Sequence, residues 1–197
     1  NDPYCHFTWM MPPEIPEDEI DRSGYERMNK WFEEEHDEAL LLYSKRDAQN
    51  IAILYYFLAD EIIKRFGSEG MKIVEASLKE MGKMRGNALK WKLAKAGITL
   101  SVKNVFDNFD LPSYAHNVPF NKIWKMNIES TNGKTTMDVS YCPLAEIWQE
   151  LGNKEIGYMF CKTQCESIFK ELSSEAEVEI IQTIIEGANK CKLEFKI

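Results

Sequence analysis

Five cysteines, three histidines and one arginine set between two glycines are the residues of this 197-residue chain whose types and positions could do chemistry. Arg85 falls inside an apolar stripe formed by Val74, Leu78, Met81, Ala88 and Leu89 at helical spacing. Gly82 and Gly86 flank it, and each costs up to about 1 kcal/mol relative to Ala in a helix interior. Two such glycines beside an inward arginine predict that something approaches the helix closely. A guanidinium held in a pocket there would clamp a carboxylate in its planar fork. The alternatives are a structural pairing with a core acid, or a side chain that snorkels to the surface.

Cys142 stands before Pro143, a residue suited to the first position of a helix. A thiol at a helix N-terminus meets unpaired N–H groups and the positive end of the macrodipole, which favour thiolate. A small buried residue at a strand end is the other reading. Cys161 and Cys165 are four apart and share a helical face, a spacing that permits joint metal ligation. The same face carries Ile168, Phe169 and Leu172, so packing is the alternative. Cys191 alternates with Leu193, Phe195 and Ile197 and points to the apolar face of a strand. Of the histidines, His116 lies in the loop from Pro112 to Pro119, just before the strands, and is the candidate proton carrier. His6 sits among prolines, and His36 follows Glu33-Glu34-Glu35, which reads as a solvated face.

These residues need elements to hold them. Residues 1–22 carry four of the seven prolines and read as an irregular arm, leaving 23–197 as a single domain. Its first part, 23–112, is helical in pattern. Ile51, Leu54, Tyr55, Leu58, Ala59, Ile62, Ile63 and Phe66 form a stripe that Ser44 or Asp47 could cap and that Gly67 ends. A second helix is expected from Ser68 to Ala96, stopped by Gly97. From residue 120 to 197 the apolar period becomes two. Strands are expected at Phe120–Ile128 and Met137–Tyr141, around Asn132-Gly133, a strong hairpin signal. Counting out from a two-residue loop pairs Thr131 with Lys134, Ile128 with Met137, Met126 with Val139 and Trp124 with Tyr141. A second hairpin joins Val178–Ile185 to Cys191–Ile197 through Gly187–Lys190, and Pro143–Leu151 and about 157–172 read as helices between the two. The expected architecture is α+β: a helical half, then a four-stranded antiparallel sheet with helices inserted between its hairpins.

Composition narrows the function. Apolar residues make up 44% and aromatics 12%, enough for a sizeable core. The net charge of −8 and the lack of a basic block argue against a nucleic-acid or anionic-membrane partner. The longest apolar run, Ile51 to Ala59, is nine residues against the roughly 20 that span a bilayer. No signal-peptide pattern opens the chain, and an odd, sparse set of cysteines fits a reduced, cytoplasmic protein. No phosphate loop, HExxH or GxSxG occurs.

Several of these residues recur in one pattern. Cys142-Pro143-Leu144-Ala145-Glu146-Ile147-Trp148, Leu151-Gly152, Glu155-Ile156-Gly157, Phe160-Cys161 and the final Gly187 to Phe195 stretch, with Met84-Arg85-Gly86-Asn87-Ala88 upstream, resemble the L-2-amino-thiazoline-4-carboxylic acid hydrolase family over about residues 45–197. A weaker likeness links the closing Gly…Cys-x-Phe hairpin to the four-vinyl reductase small-molecule-binding domain. The resemblance implies hydrolytic opening of a cyclic, amidine-like ring in an amino-acid derivative. It matches Cys142, Cys161 and Cys191 to the family's cysteines and Arg85 to its arginine. Just after the second cysteine the family tends to carry an acid, where this chain has Gln164 and Cys165.

The expectation is therefore a small-molecule enzyme, with the site where helices meet sheet. Arg85, Trp124 and Tyr141 would bind substrate. Cys142, Cys161 and Cys191 would act as nucleophile or metal ligands, with His116 moving protons and Cys165 replacing the acid. A divalent metal ion is the candidate cofactor, held by Cys142, Cys161, Cys165 and Cys191, and an oligomer is open. The competing expectation is a sensor module whose cysteines bind a metal or small molecule without turnover.

Overall fold

Glycine punctuates the helical half. The computed structural model describes residues 36–109, 120–131 and 134–197. Its first element, α1 (His36–Ala96), is two helical arms joined at Gly67, whose φ of 58° and ψ of −133° break the helix. The turn is sharp enough to bring the arms into contact beside it: a Cβ on Gly70 would stand 2.5 Å from the Ile62 carbonyl oxygen. α1 ends at Gly97 (φ 66°). There the Ile98 N–H donates to Leu93 O (2.9 Å) and the Gly97 N–H to Ala94 O (3.1 Å), a Schellman closure. Both glycine stops stand where the sequence puts them. Ser44 and Asp47 are interior residues of α1 rather than caps, because the helix begins upstream of both. The chain divides between Glu38 and Ala39, and nearly all of α1, the remaining helices and the sheet belong to the second unit, Ala39–Ile197. The arm 1–22, His6 and His116 lie outside the described residues.

The first arm of α1 does not pack on the face its largest apolar residues suggest. Leu54, Leu58 and Phe66 are 62%, 56% and 60% exposed, while Ala48, Ala52, Tyr56 and Ala59 are buried. Small side chains let the backbone of α1 come close enough for the Trp148 indole N–H to donate to Ala52 O (3.1 Å). Periodicity identified the helix; close approach chose its packed side.

A short helix, α2 (Val102–Asp107), comes next, its Ser101 Oγ accepting from the Asn104 N–H (3.1 Å). The sheet half opens with a correction. Phe120–Ile123, expected as strand, is a helical turn, α3, and β1 is Lys125–Thr131. β2 is Lys134–Tyr141. Thr131 pairs with Lys134, Ile128 with Met137 and Met126 with Val139, as counted from the sequence. The last expected pair fails: a register shift between Lys125 and Met126 sets Lys125 opposite Tyr141. Trp124 has left the ladder and turned into the core, where its indole N–H lies 3.2 Å from Cys142 Sγ.

Then come α4 (Pro143–Leu151) and α5 (Lys154–Leu172), with Gly152 (φ 88°) between them. β3 (Glu177–Gln182) is shorter than the expected Val178–Ile185. After Gln182 the chain turns, with Thr183 Oγ1 donating to Glu186 Oε2 (2.8 Å) and Ala188 N–H donating to Thr183 O (3.1 Å). β4 is Cys191–Lys196. The sheet order is β1-β2-β4-β3, all antiparallel, so the hairpins meet side by side through β2 and β4. The fold is the expected α+β. One sheet face, with Met137, Val139, Leu193 and Phe195 buried, packs with Leu89, Leu93, Phe106, Ile168 and Phe169 from the helices. Among the described residues no helix is long and apolar enough to cross a membrane.

Candidate functional site

The second arm of α1 and α5 run in the same direction and touch through glycine. A Cβ on Gly82 would lie 2.5 Å from Ser167 Cβ, and one on Gly86 would lie 2.7 Å from Glu171 Cβ and 2.8 Å from Ile168 O. The close approach that the two glycines announce is therefore made by α5. With this helix pair on one side and the apolar sheet face on another, the side chains do not close the space between. A cavity of about 560 Å³ remains, within the range of small-molecule sites.

Its wall is almost wholly apolar: Ile51, Met81, Phe106, Val139, Ile180 and Leu193 are representative. Against that background stand Arg85, Gln164, Thr183 and four thiols, Cys142, Cys161, Cys165 and Cys191. Arg85 is the one formally charged side chain among the described residues of the wall, and its guanidinium carbon lies 4.6 Å from the Phe109 ring centroid. The topology brings the thiols together. Val139 pairs with Cys191 across β2 and β4, Cys142 follows β2 directly, and α5 lays Cys161 and Cys165 over the same space.

Each thiol keeps some accessible surface because it faces the cavity, yet protein surrounds it. Burial pushes Cys142 up to about 11, although the Ala145 N–H, the Trp124 indole and the Leu144 N–H pull it down. No side-chain capping hydrogen bond forms at Cys142, so the helix terminus supplies a field rather than a direct cap. Burial raises Cys161 strongly, reinforced by Cys142, Cys165 and Cys191. Burial likewise carries Cys165 to about 12, with Arg85 opposing, and raises Cys191 against the pull of the Ile184 N–H, which donates to its sulfur (3.3 Å). At neutral pH these are neutral thiols.

Gln164 lies one turn after Cys161 on α5 and is buried. Its amide nitrogen donates to Leu78 O (2.8 Å), which fixes the amide orientation, and its Oε1 is buried with no hydrogen-bond partner. No signal in the sequence shows that this oxygen is buried without a partner.

Of the expected site residues, Arg85, Trp124 and the four cysteines line the cavity. Tyr141 is elsewhere: its hydroxyl donates to Glu146 Oε2 (2.9 Å), and Lys45 lies over its ring. Gln49 also donates to Glu146 (2.8 Å) and Lys45 pairs with it (3.3 Å), so Glu146 ties α1 to α4. Burial raises the Glu146 carboxyl, but these partners outweigh it and hold the group below the usual range. Ala88, expected in the inward stripe, is exposed. A metal does not fit the arrangement, since among the described residues no three His, Cys, Asp or Glu side chains are placed to hold one.

No curated protein matches the chain. A solved structure of a trafficking protein particle complex subunit 3 from Naegleria fowleri, covalently bound to palmitic acid, is 14% identical, covering 77% of this chain and 95% of that one at a TM-score of 0.49. The pattern of the L-2-amino-thiazoline-4-carboxylic acid hydrolase family matches residues 47–195. That match takes in α1 from its first arm onward, α5, all four cavity cysteines and nearly the whole sheet, and the chain belongs to this family.

Proposed function

We propose that the cavity is a small-molecule site in which a carboxylate-bearing amino-acid derivative is hydrolysed at a cyclic C–N or C–S bond. The observation that carries this reading is the convergence of four thiols and one guanidinium on one apolar cavity. Arg85 takes the carboxylate, an interaction strengthened by the low-dielectric wall. Cys142 is the nucleophile, because the start of α4 and the Trp124 indole already favour charge on its sulfur. As sulfur adds to the amidine-type carbon, the thiol proton passes to the substrate's ring nitrogen. The bond from that carbon to the ring nitrogen then breaks, the nitrogen leaving as an amine with a proton from the exocyclic amino group; water adds to the same carbon, and the Cys142 sulfur leaves with a proton of that water, which releases product and returns the thiol. Trp124 holds the sulfur in place, and His116 is the proton carrier on this reading.

A second reading, binding without turnover, is favoured by one observation: burial holds the thiols neutral. Incubating 2-amino-thiazoline-4-carboxylate with the full chain and with Cys142→Ser and Arg85→Lys decides between them. Hydrolysis is expected, with kcat reduced at least about a hundredfold in Cys142→Ser and KM raised in Arg85→Lys. Saturable binding with no ring opening would establish the second reading. Hydrolysis untouched by Cys142→Ser would remove Cys142 from the mechanism.

A further inference from the structure

The first arm of α1 turns its small apolar residues inward and its large ones outward. Ala48, Ala52 and Ala59 are buried, while Ile53, Leu54, Phe57 and Leu58 are 37%, 62%, 57% and 56% exposed. Spacings of three and four residues gather these four on one side of the helix, and the run from Ile51 to Ala59 carries no charge. At ordinary side-chain areas they leave on the order of 400 Å² of apolar surface uncovered, a patch of the size that on a monomer is often functional.

The border of the patch points to its occupant. Arg46 and Asp47 lie at one end, and Asp60, Glu61, Lys64 and Arg65 at the other. Three bases and three acids make this face neutral in a chain that carries −8 overall, so copies that repel elsewhere can approach here. An antiparallel crossing of two such arms covers apolar centre with apolar centre and sets Asp47 of each towards the Lys64–Arg65 end of the other. Covering the patch on both copies removes on the order of 800 Å², and the polar rim brings the total to the roughly 1,200 Å² at which specific interfaces begin. We infer that a second copy of this chain covers this face, through two-fold, antiparallel pairing of the first arms of α1 about Leu54 and Phe57. The pairing is independent of the chemistry proposed for the cavity.

Sedimentation equilibrium of the full chain over about 1–200 μM tests the inference. A reversible rise from the 22.9 kDa monomer to the dimer is expected, with the micromolar dissociation of an interface at the small end of the range. Leu58→Lys sets a cation in the apolar centre and should weaken association at least about tenfold, and Phe57→Ala should also weaken it. Trp91→Lys, at a 65% exposed ring on the second arm, should leave it unchanged. Salt at about 0.5 M should not dissociate the dimer, because exposed rim charges contribute little beside apolar burial. Far-ultraviolet circular dichroism checks the fold of each variant.

A chain that stays at 22.9 kDa throughout overturns the inference. Hydroxyl-radical labelling then separates the other occupants: an unlabelled Phe57 in that monomer means that the chain's own residues cover the face, and a labelled one that the face is open to a different partner. A dimer untouched by Leu58→Lys, or broken by Trp91→Lys or by salt, is held by another surface and overturns the inference as well.

Discussion

Two apolar regions lie side by side in this fold, and only one is full. Around Trp148 the packing is complete: Trp148, Ala52, Ala145, Ile156 and Ile185 are at most 1% exposed. The Tyr55 ring meets Phe160 at 4.8 Å, and the hydroxyls of Tyr55 and Tyr56 donate to Ile156 O (3.0 Å) and Leu151 O (2.9 Å). Gly157 is there because a Cβ would come within 2.9 Å of the indole. Between helices and sheet the wall is equally apolar, yet the space is unfilled, and four thiols line it. Composition does not separate these regions. Filling does, and it divides the apolar interior into a packed part and an unfilled one.

The largest test of that division is Trp148→Ala, expected to cost about 3–5 kcal/mol in urea unfolding. A sharper one adds atoms to both regions. Gly157→Ala inserts one carbon against the indole and should destabilise by about 1–3 kcal/mol. Ala48→Phe inserts a whole ring on the cavity side and should cost less than that single methyl. Equal costs per added atom would mean that the two regions do not differ.

The thiols offer a pH test. Their folded-state pKa values are raised, so their contribution to stability is complete below the ordinary thiol value of about 8.5. It is lost as pH rises through the folded values, near 11 for Cys142 and 12 for Cys165. Unfolding midpoints should fall over that alkaline window, and Cys142→Ser should lessen the fall. Alkylation by iodoacetamide in the native protein at pH 8 should be roughly a hundredfold slower than in urea. Rapid native labelling at pH 8 would show that the cavity is far wetter than its walls imply. The smallest effect is expected at the exposed Lys196–Glu177 pair (2.6 Å), where Lys196→Ala should leave the midpoint unchanged.

Much of the scaffold was legible in the sequence because it obeys local rules. Gly67 and Gly97 stop helices, Pro143 starts one, and alternation with a two-residue loop sets three hairpin pairs correctly. Alternation along the last strand and helical spacing along α5 also sufficed to bring the cysteines to one neighbourhood. What failed depends on how elements approach one another. The stripe through Leu54 and Leu58 identified a helix but not its packed side, which the alanines decide. Trp124 fitted the strand pattern and left it because the interior offers its ring a place beside Cys142. The cavity is a shortfall of volume between layers, which no single segment encodes. The Glu146 cluster joins residues nearly a hundred positions apart, beyond any motif spacing.

The glycine contacts between the second arm of α1 and α5 bear on kinetics. Helices seated backbone to side chain at Gly82 and Gly86 cannot slide or part without breaking a contact that admits no Cβ. That wall of the cavity therefore behaves as a fixed jaw. On the proposed reading, exchange of a bound molecule would be timed by single side chains turning, such as Arg85 over Phe109, rather than by breathing of whole helices.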